Sequence, residues 1–410
     1  MTRSFEWFLA LRYLTARRKG LGGWLTTIIA VGGVSLGVAA LIVTLAVMTG
    51  FQEDIRGKIL GAQPHLLALA PQGAMAARDW SEPLGSISEV ESWAPFVMGQ
   101  SLIKKGPSAA GAVIKGIDPL REGSVTGLDK RVIDGQWSDL SRPVSNGPAP
   151  MFLGKELART LRASPGDDLL VLGSSADADP MTGLPELHVF RVAGLIETGL
   201  YDYDSSLAVT SIAAAQQVFQ LEDNHSGVGI RIKHPDKASR VAIAVQQKMG
   251  PVALVRSWLH MNQNLFAALK LEKTVMFIIL TLITLVAAFT IVSNLLLITA
   301  QKVREIGILQ ALGAPRNCIR RIFLLQGLMM GGTGVCLGTV LGIAISALLK
   351  RYQFVQLPAD VYYVDKLPVR IMPADVGLVG LAAFAIVLIA TLYPAYQAAK
   401  LDALTAIRQT

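Results

Sequence analysis

The sequence is poor in cysteine, in charge and in catalytic spacing. Only two cysteines occur in 410 residues, Cys318 and Cys336. Neither falls between residues 51 and 273, so that stretch has no disulfide framework and no thiolate metal cluster. The five histidines (His65, His188, His225, His234, His260) are scattered, with no H-E-x-x-H or other short metal spacing. No G-x-x-x-x-G-K-[ST] occurs, so no P-loop is expected and ATP-driven work must draw on another subunit. GVSLG at 33–37 has the form of a nucleophile elbow, but it lies inside an uncharged run with no histidine nearby in sequence. Gly33 and Gly37 read instead as a small-residue packing pair. No catalytic residue, cofactor site or metal site is expected, and the chain is not expected to be an enzyme.

Charged residues make up 17% of the chain, well under the roughly 25% of soluble domains. What replaces them is apolar sequence in long runs. Four uncharged runs lie between Lys19 and Glu53, Lys273 and Lys302, Arg321 and Lys350, and Asp375 and Lys400. Each exceeds the roughly 20 residues that a spanning helix needs. The first is too long for a signal-peptide core and no small-residue cleavage site follows, so it reads as a retained anchor. No Asp, Glu, Lys or Arg sits within a run, which argues against an ion or proton pathway.

The basic residues set the orientation. Arg3, Arg12, Arg17, Arg18 and Lys19 precede the first run, and Lys302, Arg304, Arg316, Arg320 and Arg321 lie between the second and third. Lys400 and Arg408 follow the fourth. All three segments belong in the cytoplasm by the positive-inside rule, which leaves residues 51–273 outside. Acids and bases nearly balance there, so the net charge of +8 reports membrane orientation rather than nucleic-acid binding.

These readings divide the chain as follows. Residues 1–20 are expected to form an interfacial amphipathic helix, with Phe5, Phe8, Leu9, Tyr13 and Leu14 on one face and Arg12 and Arg17 opposed. Spans are expected over 21–50, 271–301, 317–349 and 374–399. Residues 302–316 form a cytoplasmic helix and loop, 350–373 an outer loop and 400–410 a cytoplasmic tail. Residues 51–270 read as a large α+β domain. HLLALA, AGAVIKGI, DDLLVLG, HVFRVAGLI, SSLAVT, GVGIRI and PVALVRSW alternate as strands, and KELARTLRAS, IAAAQQVFQL and DKASRVAIAVQQKMG read as helices. PVSNGPAP (143–150) is a loop signal and a candidate subdomain boundary. The connection 174–187 is much longer than a hairpin needs and carries Met181, Leu184 and Leu187, which marks it as functional. Gly327, Gly331, Gly334, Gly338 and Gly342 recur at steps of three and four, forming one packing ridge.

The stretch VREIGILQALGAPRNCIRRIFLLQG resembles the cytoplasmic loop and next span of FtsX/MacB-type ABC permeases, and YPAYQAAKLDALTAIR resembles the end of their last span. LRYLTARR, LAVMTGFQEDIRGKILGAQPH, LGKELARTLRASPGDDLLVL, PMTGLP with FRVAGLIETGLYDYDSSLAV, LKLEKTVMF and VYYVDKLPV are similar to the lipoprotein-releasing permeases of the LolC/LolE family. The resemblance covers nearly the whole chain. It implies an α-helical membrane protein with four transmembrane helices plus a large periplasmic α+β domain of the MacB-like type. It implies an inner-membrane location with both termini cytoplasmic. The implied work is extraction of triacylated lipoproteins. The implied partners are two copies of a LolD-like ATPase holding ATP and Mg, a second permease chain, membrane lipid and a LolA-like periplasmic chaperone.

The family's ATPase-docking helix falls on Val303–Leu312, with Arg304 and Glu305 as polar contacts and Ile306, Ile308, Leu309 and Leu312 as apolar ones. Gly313 and Pro315 supply the stop chemistry. The chaperone-binding hook falls on Pro180, Met181, Thr182, Gly183, Leu184 and Pro185, with Arg191 on the following strand. Implied lipid contacts are Val47, Met48, Phe51, Met276, Phe277, Tyr362 and Tyr363. The hook marks LolC and VYYVDKLPV marks LolE, so a heterodimer and a LolF-like homodimer both remain open. A scaffold of the FtsX type, which signals without transporting, is the alternative function.

Overall fold

A computed structural model describes residues 3–15, 22–141, 147–173, 186–352 and 367–400. In chain order the elements begin with helices α1 (Arg3–Thr15) and α2 (Gly22–Ala62). The region beyond them holds strands β1 (Leu66–Leu69), β2 (Val90–Lys105), β3 (Ser108–Ile117), β4 (Val132–Gly135) and β5 (Ala149–Gly154). It continues with β6 (Asp168–Leu172), β7 (Leu187–Ile196), β8 (Leu207–Ser211), β9 (Gly227–Ile232) and β10 (Leu254–Ser257). Its short helices are α3 (Ser81–Gly85), α4 (Pro119–Thr126), α5 (Lys155–Leu161), α6 (Tyr201–Asp204), α7 (Ile212–Phe219), α8 (Ala238–Met249) and α9 (Trp258–Met261). The chain closes with α10 (Gln263–Gln301), α11 (Val303–Ala311), α12 (Arg316–Tyr352) and α13 (Pro373–Ala399). Two compact units emerge, one from the described residues up to Gln52 and from Ala268 onward, the other from Glu53–Ala267.

In the helical unit, α2, α10, α12 and α13 are each long and apolar enough to cross a bilayer. They meet through a core of Val34, Val38, Ile291, Leu295, Met330 and Val387. Small residues set the approach, as they must where burial from lipid drives little. The glycines of α12 form two surfaces rather than one ridge. A Cβ on Gly327 or Gly331 would strike Thr391 or Val387 of α13, whereas one on Gly334, Gly338 or Gly342 would strike Val34, Ser35 or Ile42 of α2. Steps of three and four drift around the helix, so five such positions can serve two neighbours. Gly33 and Gly37 pack on Ala287 and Thr284 of α10, as small-residue packing requires. The Asn294 amide donates to Thr27 Oγ1 at 3.3 Å, tying α10 to α2.

Helix α1 lies on α12, with Ala10 against Cys318 and Ile322. Glu6 faces the same way and pairs with Arg321 at 3.7 Å. Trp7, Phe8 and Leu11 stay exposed. Arg12 does not oppose Phe8; its guanidinium lies 5.8 Å from the Phe8 ring centre, because residues four apart share a helix face.

The other unit is built on one ten-stranded sheet in the order β10-β1-β9-β2-β3-β8-β5-β7-β4, with β6 paired to both β2 and β7. That double pairing returns the hydrogen-bonded path on itself. β2, β3, β8, β5, β7 and β6 form a closed ring, and β10 and β4 remain the end strands of the sheet. Inside it Val97, Ile103, Ile114, Met151, Val171 and Phe190 are fully buried. β2 makes closure possible. Its sixteen residues pair with β9 near one end, with β6 near the other, and with β3 along the opposite side. All seven alternating segments named above contain strands, while β2, β4 and β5 were not anticipated. The loop signal at 143–150 yields to β5 from Ala149. No boundary falls there, since residues 53–267 form one unit.

Candidate functional site

The predicted residues that the structure describes fall in three parts of the fold. The first is α11. Its end is a Schellman motif: Ala314 N–H donates to Leu309 O at 3.0 Å, and Gly313 N–H donates to Gln310 O at 2.9 Å. Gly313 takes φ +91°, a conformation that favours glycine, and Pro315 follows before α12 begins. Arg304, Ile308 and Leu312 are exposed and spaced four apart, so they form one stripe. Leu312 is 75% exposed and Ile308 46%. Ile306 must be removed from this surface. It is 1% exposed and packs with Ile319, Phe323, Ala395 and Ala398. Two positions from Ile308 on a helix is nearly the opposite side. Glu305 pairs back onto Lys302, and Leu309 is half-buried at the foot of the motif.

The second surface belongs to the β6–β7 hairpin. Its register runs from Asp168↔Arg191 to Leu172↔Leu187. Gly173 N–H donates to Glu186 O at 2.7 Å, so the predicted hook springs from a closed hairpin base. Pro180, Met181, Thr182, Gly183, Leu184 and Pro185 lie outside the described residues. Arg191 grips Asp168 in a bidentate pair, Nε to Oδ1 at 2.8 Å and the second nitrogen to Oδ2 at 3.2 Å. That guanidinium holds the Asp168 carboxyl below the usual carboxylate range.

Cross-strand partners share a face, so the registers define a surface. Lys104 opposes Leu170, and Leu170 opposes Val189. Leu102, Leu170, Val189 and Leu187 are therefore on the outside of the ring, where all four are exposed. Their neighbours Ile103, Leu169, Val171 and Phe190 turn into the core. These strands are apolar on both faces, whereas a strand covered on one side only should alternate with polar residues. This open face was not anticipated. The double apolarity of DLLVL and HVF was the available signal.

The third surface is helical. Val47 and Phe51 are half-buried one turn apart on α2, while Met48 is turned into the packed interior and is a poor outward contact. On α10, Met276 is exposed and Phe277 packs against the core. Much more of α10 is bare than the two predicted residues: Ile279, Leu282, Val286 and Phe289 are all exposed on it. Near these contacts Thr49 Oγ1 donates to Asp375 Oδ2 at 3.1 Å, and Lys273 Nζ lies 3.7 Å from the same oxygen. α2, α10 and α13 are thus linked by one polar cluster. Tyr362 and Tyr363 lie outside the described residues. Among the described residues no group of three His, Cys, Asp or Glu side chains could hold a metal.

Comparisons with known proteins bear on the chain as a whole. The model of the MacB-like periplasmic core domain matches residues 27–248, and that of the FtsX-like permease C-terminal matches 277–403. The lipoprotein-releasing system transmembrane protein LolC of Neisseria meningitidis serogroup B is 33% identical, over 99% of each chain. LolC of Xylella fastidiosa (strain Temecula1) is 34% identical over 98% of each chain. LolE of Haemophilus influenzae is 29% identical over 96% of this chain and 97% of its own. Among solved structures, the periplasmic region of MacB from Actinobacillus actinomycetemcomitans is 11% identical. It covers 52% of this chain and 97% of its own, with a TM-score of 0.33.

Proposed function

This chain belongs to the LolC/LolE family of lipoprotein-releasing transmembrane proteins, and from that premise we propose that it is the permease subunit through which a separate ATPase drives lipoproteins out of the inner membrane. The four apolar helices span that membrane, with both termini in the cytoplasm and the β-rich unit in the periplasm. Two permease chains and two LolD-like ATPases make the working assembly. The ATPase docks on Arg304, Ile308 and Leu312, with Glu305 and Leu309 at the margin of the contact. Its closure on ATP moves α11, whose firm glycine stop passes the push to α12. The bare face of α10, with Val47, Phe51 and Met276, receives acyl chains. The hook at 180–185 and Arg191 hold a LolA-like chaperone.

The observation that carries transport over signalling is the open apolar face at the foot of the hook. In water, Leu102, Leu170, Leu187 and Val189 together form a patch of the kind that marks an interaction surface. Leu102→Asp with Val189→Asp tests this reading in reconstituted vesicles. Chaperone crosslinking to the hook side should be lost and lipoprotein release should fall, with ATPase binding unchanged. Normal release by the double variant would refute the assignment of this face. Retained chaperone binding with no release from the wild-type protein would favour the FtsX-type scaffold.

A further inference from the structure

The β-rich unit also contains a recess that none of these roles uses. It encloses about 530 Å³ against the outside of the ring, inside the usual range of ligand sites. Leu67, Phe96, Met98, Val113, Leu128 and Leu207 supply an apolar wall. Met98, Gln100 and Leu102 follow one another along the same face of β2, over about 13 Å of strand. Opposite them stand Lys115, Val113 and Gly111 of β3.

The recess adjoins another at each end. Toward one end it shares Gln63, Tyr203, Met261 and Asn262 with a second recess of about 330 Å³, which is lined further on by Ile55, Ile59, Leu200 and Leu265. Toward the other it shares Gln100, Val113 and Ser206 with a third of about 480 Å³, which ends at Leu102. Leu102 is already part of the open face beside the hook. A row of adjoining recesses, the main one largely apolar and the third shallow and more polar, thus leads along this unit to the proposed chaperone surface. The neck is built deliberately. Asp204, 5% exposed, accepts from Thr198 N–H at 2.8 Å, Thr198 Oγ1 at 2.7 Å and Gly199 N–H at 3.1 Å. Those bonds fix the turn that sets the preceding residue, Tyr203, against Gln63.

Charge narrows the ligand class. Lys115 is the one cation lining the main recess among the described residues, and its ammonium pairs with Glu122, itself 2% exposed. Thr126 Oγ1 donates to the same Glu122 oxygen at 3.0 Å. With that cation neutralised, the recess offers little to a phosphate or a free carboxylate. What remains is alkyl surface with neutral amides and a hydroxyl at the necks (Gln63, Gln100, Asn262, Ser206). That set suits a hydrocarbon chain joined through an ester or amide carbonyl. The two methionines of the wall supply adaptable apolar contact.

We propose that this recess is a transit site for one acyl chain of the lipoprotein, held between membrane and chaperone. The proposal rests on the lipoprotein-release reading above. The test uses the full chain with its ATPase in nanodiscs of phosphatidylethanolamine and phosphatidylglycerol. The probe is a synthetic triacylated lipopeptide with a diazirine in its amide-linked chain. After irradiation, peptide mapping should find adducts around Met98, Val113 and Leu207 as well as on α10. Val113→Trp narrows the junction of the main and third recesses and should lower adducts in this unit at least about fivefold while sparing those on α10. Met98→Glu, at an exposed position where folding is not at stake, should do the same. Adducts on α10 with none in this unit would overturn the inference and leave the release reading standing. Equal labelling of the recess by a diazirine phospholipid would also overturn it. Absence of lipopeptide adducts anywhere on the chain would remove both readings.

Discussion

Truncating the exposed stripe of α11 should uncouple the chain from its ATPase without unfolding it. Fully burying a leucine or isoleucine side chain yields about 1.5–3 kcal/mol. Ile308 has 46% of its surface left to bury and Leu312 has 75%. Scaling by those fractions gives about 2–3.5 kcal/mol for Ile308→Ala with Leu312→Ala. That corresponds to about 30- to 300-fold weaker binding. Alanine keeps the helix, since it is the best helix former, so the loss belongs to the interface. The matched control is Ile306→Ala. Its side chain lies in a core with Ile319 and Phe323, so truncation should cost about 2–5 kcal/mol of stability. The assay is biolayer interferometry of the purified ATPase on nanodisc-held permease, beside a thermal melt of each variant. The double variant should lose affinity and keep its melting temperature, and Ile306→Ala should do the reverse. A change of less than about threefold for the double variant would refute the stripe as the docking surface. So would selective loss of binding by Ile306→Ala at unchanged stability.

Two further outcomes are expected. Gly338→Ala places a Cβ 2.5 Å from Ser35 O and 2.8 Å from Val38 Cβ, so α12 and α2 must separate at a cost of about 1–3 kcal/mol. Denaturant unfolding in detergent should show that loss, while Gly332→Ala, with nothing within 4 Å of its Cβ, should be silent. Burial lowers the pKa of His65 from 6.5, so the native state binds protons less readily than the unfolded chain. The stability this neutral His65 contributes is complete above pH 6.5 and lost as pH falls through 6.5 toward the lower native value. Fluorescence of Trp258, whose backbone N–H donates to His65 O at 3.0 Å, should report a falling melting temperature over that window. His65→Gln should flatten the dependence.

The apolar runs were legible because length alone separates a spanning helix from a buried one. The end of α11 was legible because Gly313 and Pro315 act locally. The strands found by alternation are those whose pairing is simple. β2 escaped because it opens on Val-Glu-Ser-Trp-Ala-Pro and carries Gly99, and its burial changes from one pairing partner to the next. Ring closure depends on Ile103 meeting Val171, a contact that no local pattern encodes. Ile306 was misplaced for a different reason. The motif marks the whole helix as a contact, while the four-residue spacing of Arg304, Ile308 and Leu312 separates the outer side from the inner one. The recess was invisible because its wall is assembled from β1, β2, β3, β8 and the segments around Gln63, Leu128 and Met261.

The exposed apolar surfaces do not carry equal weight. On α10 the bare leucines and isoleucines belong to a helix that, as proposed, lies in hydrocarbon. There exposure costs nothing, since lipid tails are as apolar as leucine. Their presence demands no protein partner. The stripe on α11 sits among Lys302, Arg304 and Arg316, and the outer face of the β6–β7 hairpin is rimmed by Lys104 and the Arg191–Asp168 pair. Those charges place both surfaces in water, where exposed apolar area is unfavourable and a covering partner is stabilising. The two aqueous surfaces also differ from each other. The α11 stripe is short and ends at a fixed turn, which suits a contact that transmits force. The outer face is broad, is fixed to a closed ring of strands and continues into a recess, which suits a contact that receives cargo. On the proposed reading, one chain presents one apolar surface to lipid, one to a motor and one to a carrier. Only the last two should be sensitive to a single introduced carboxylate.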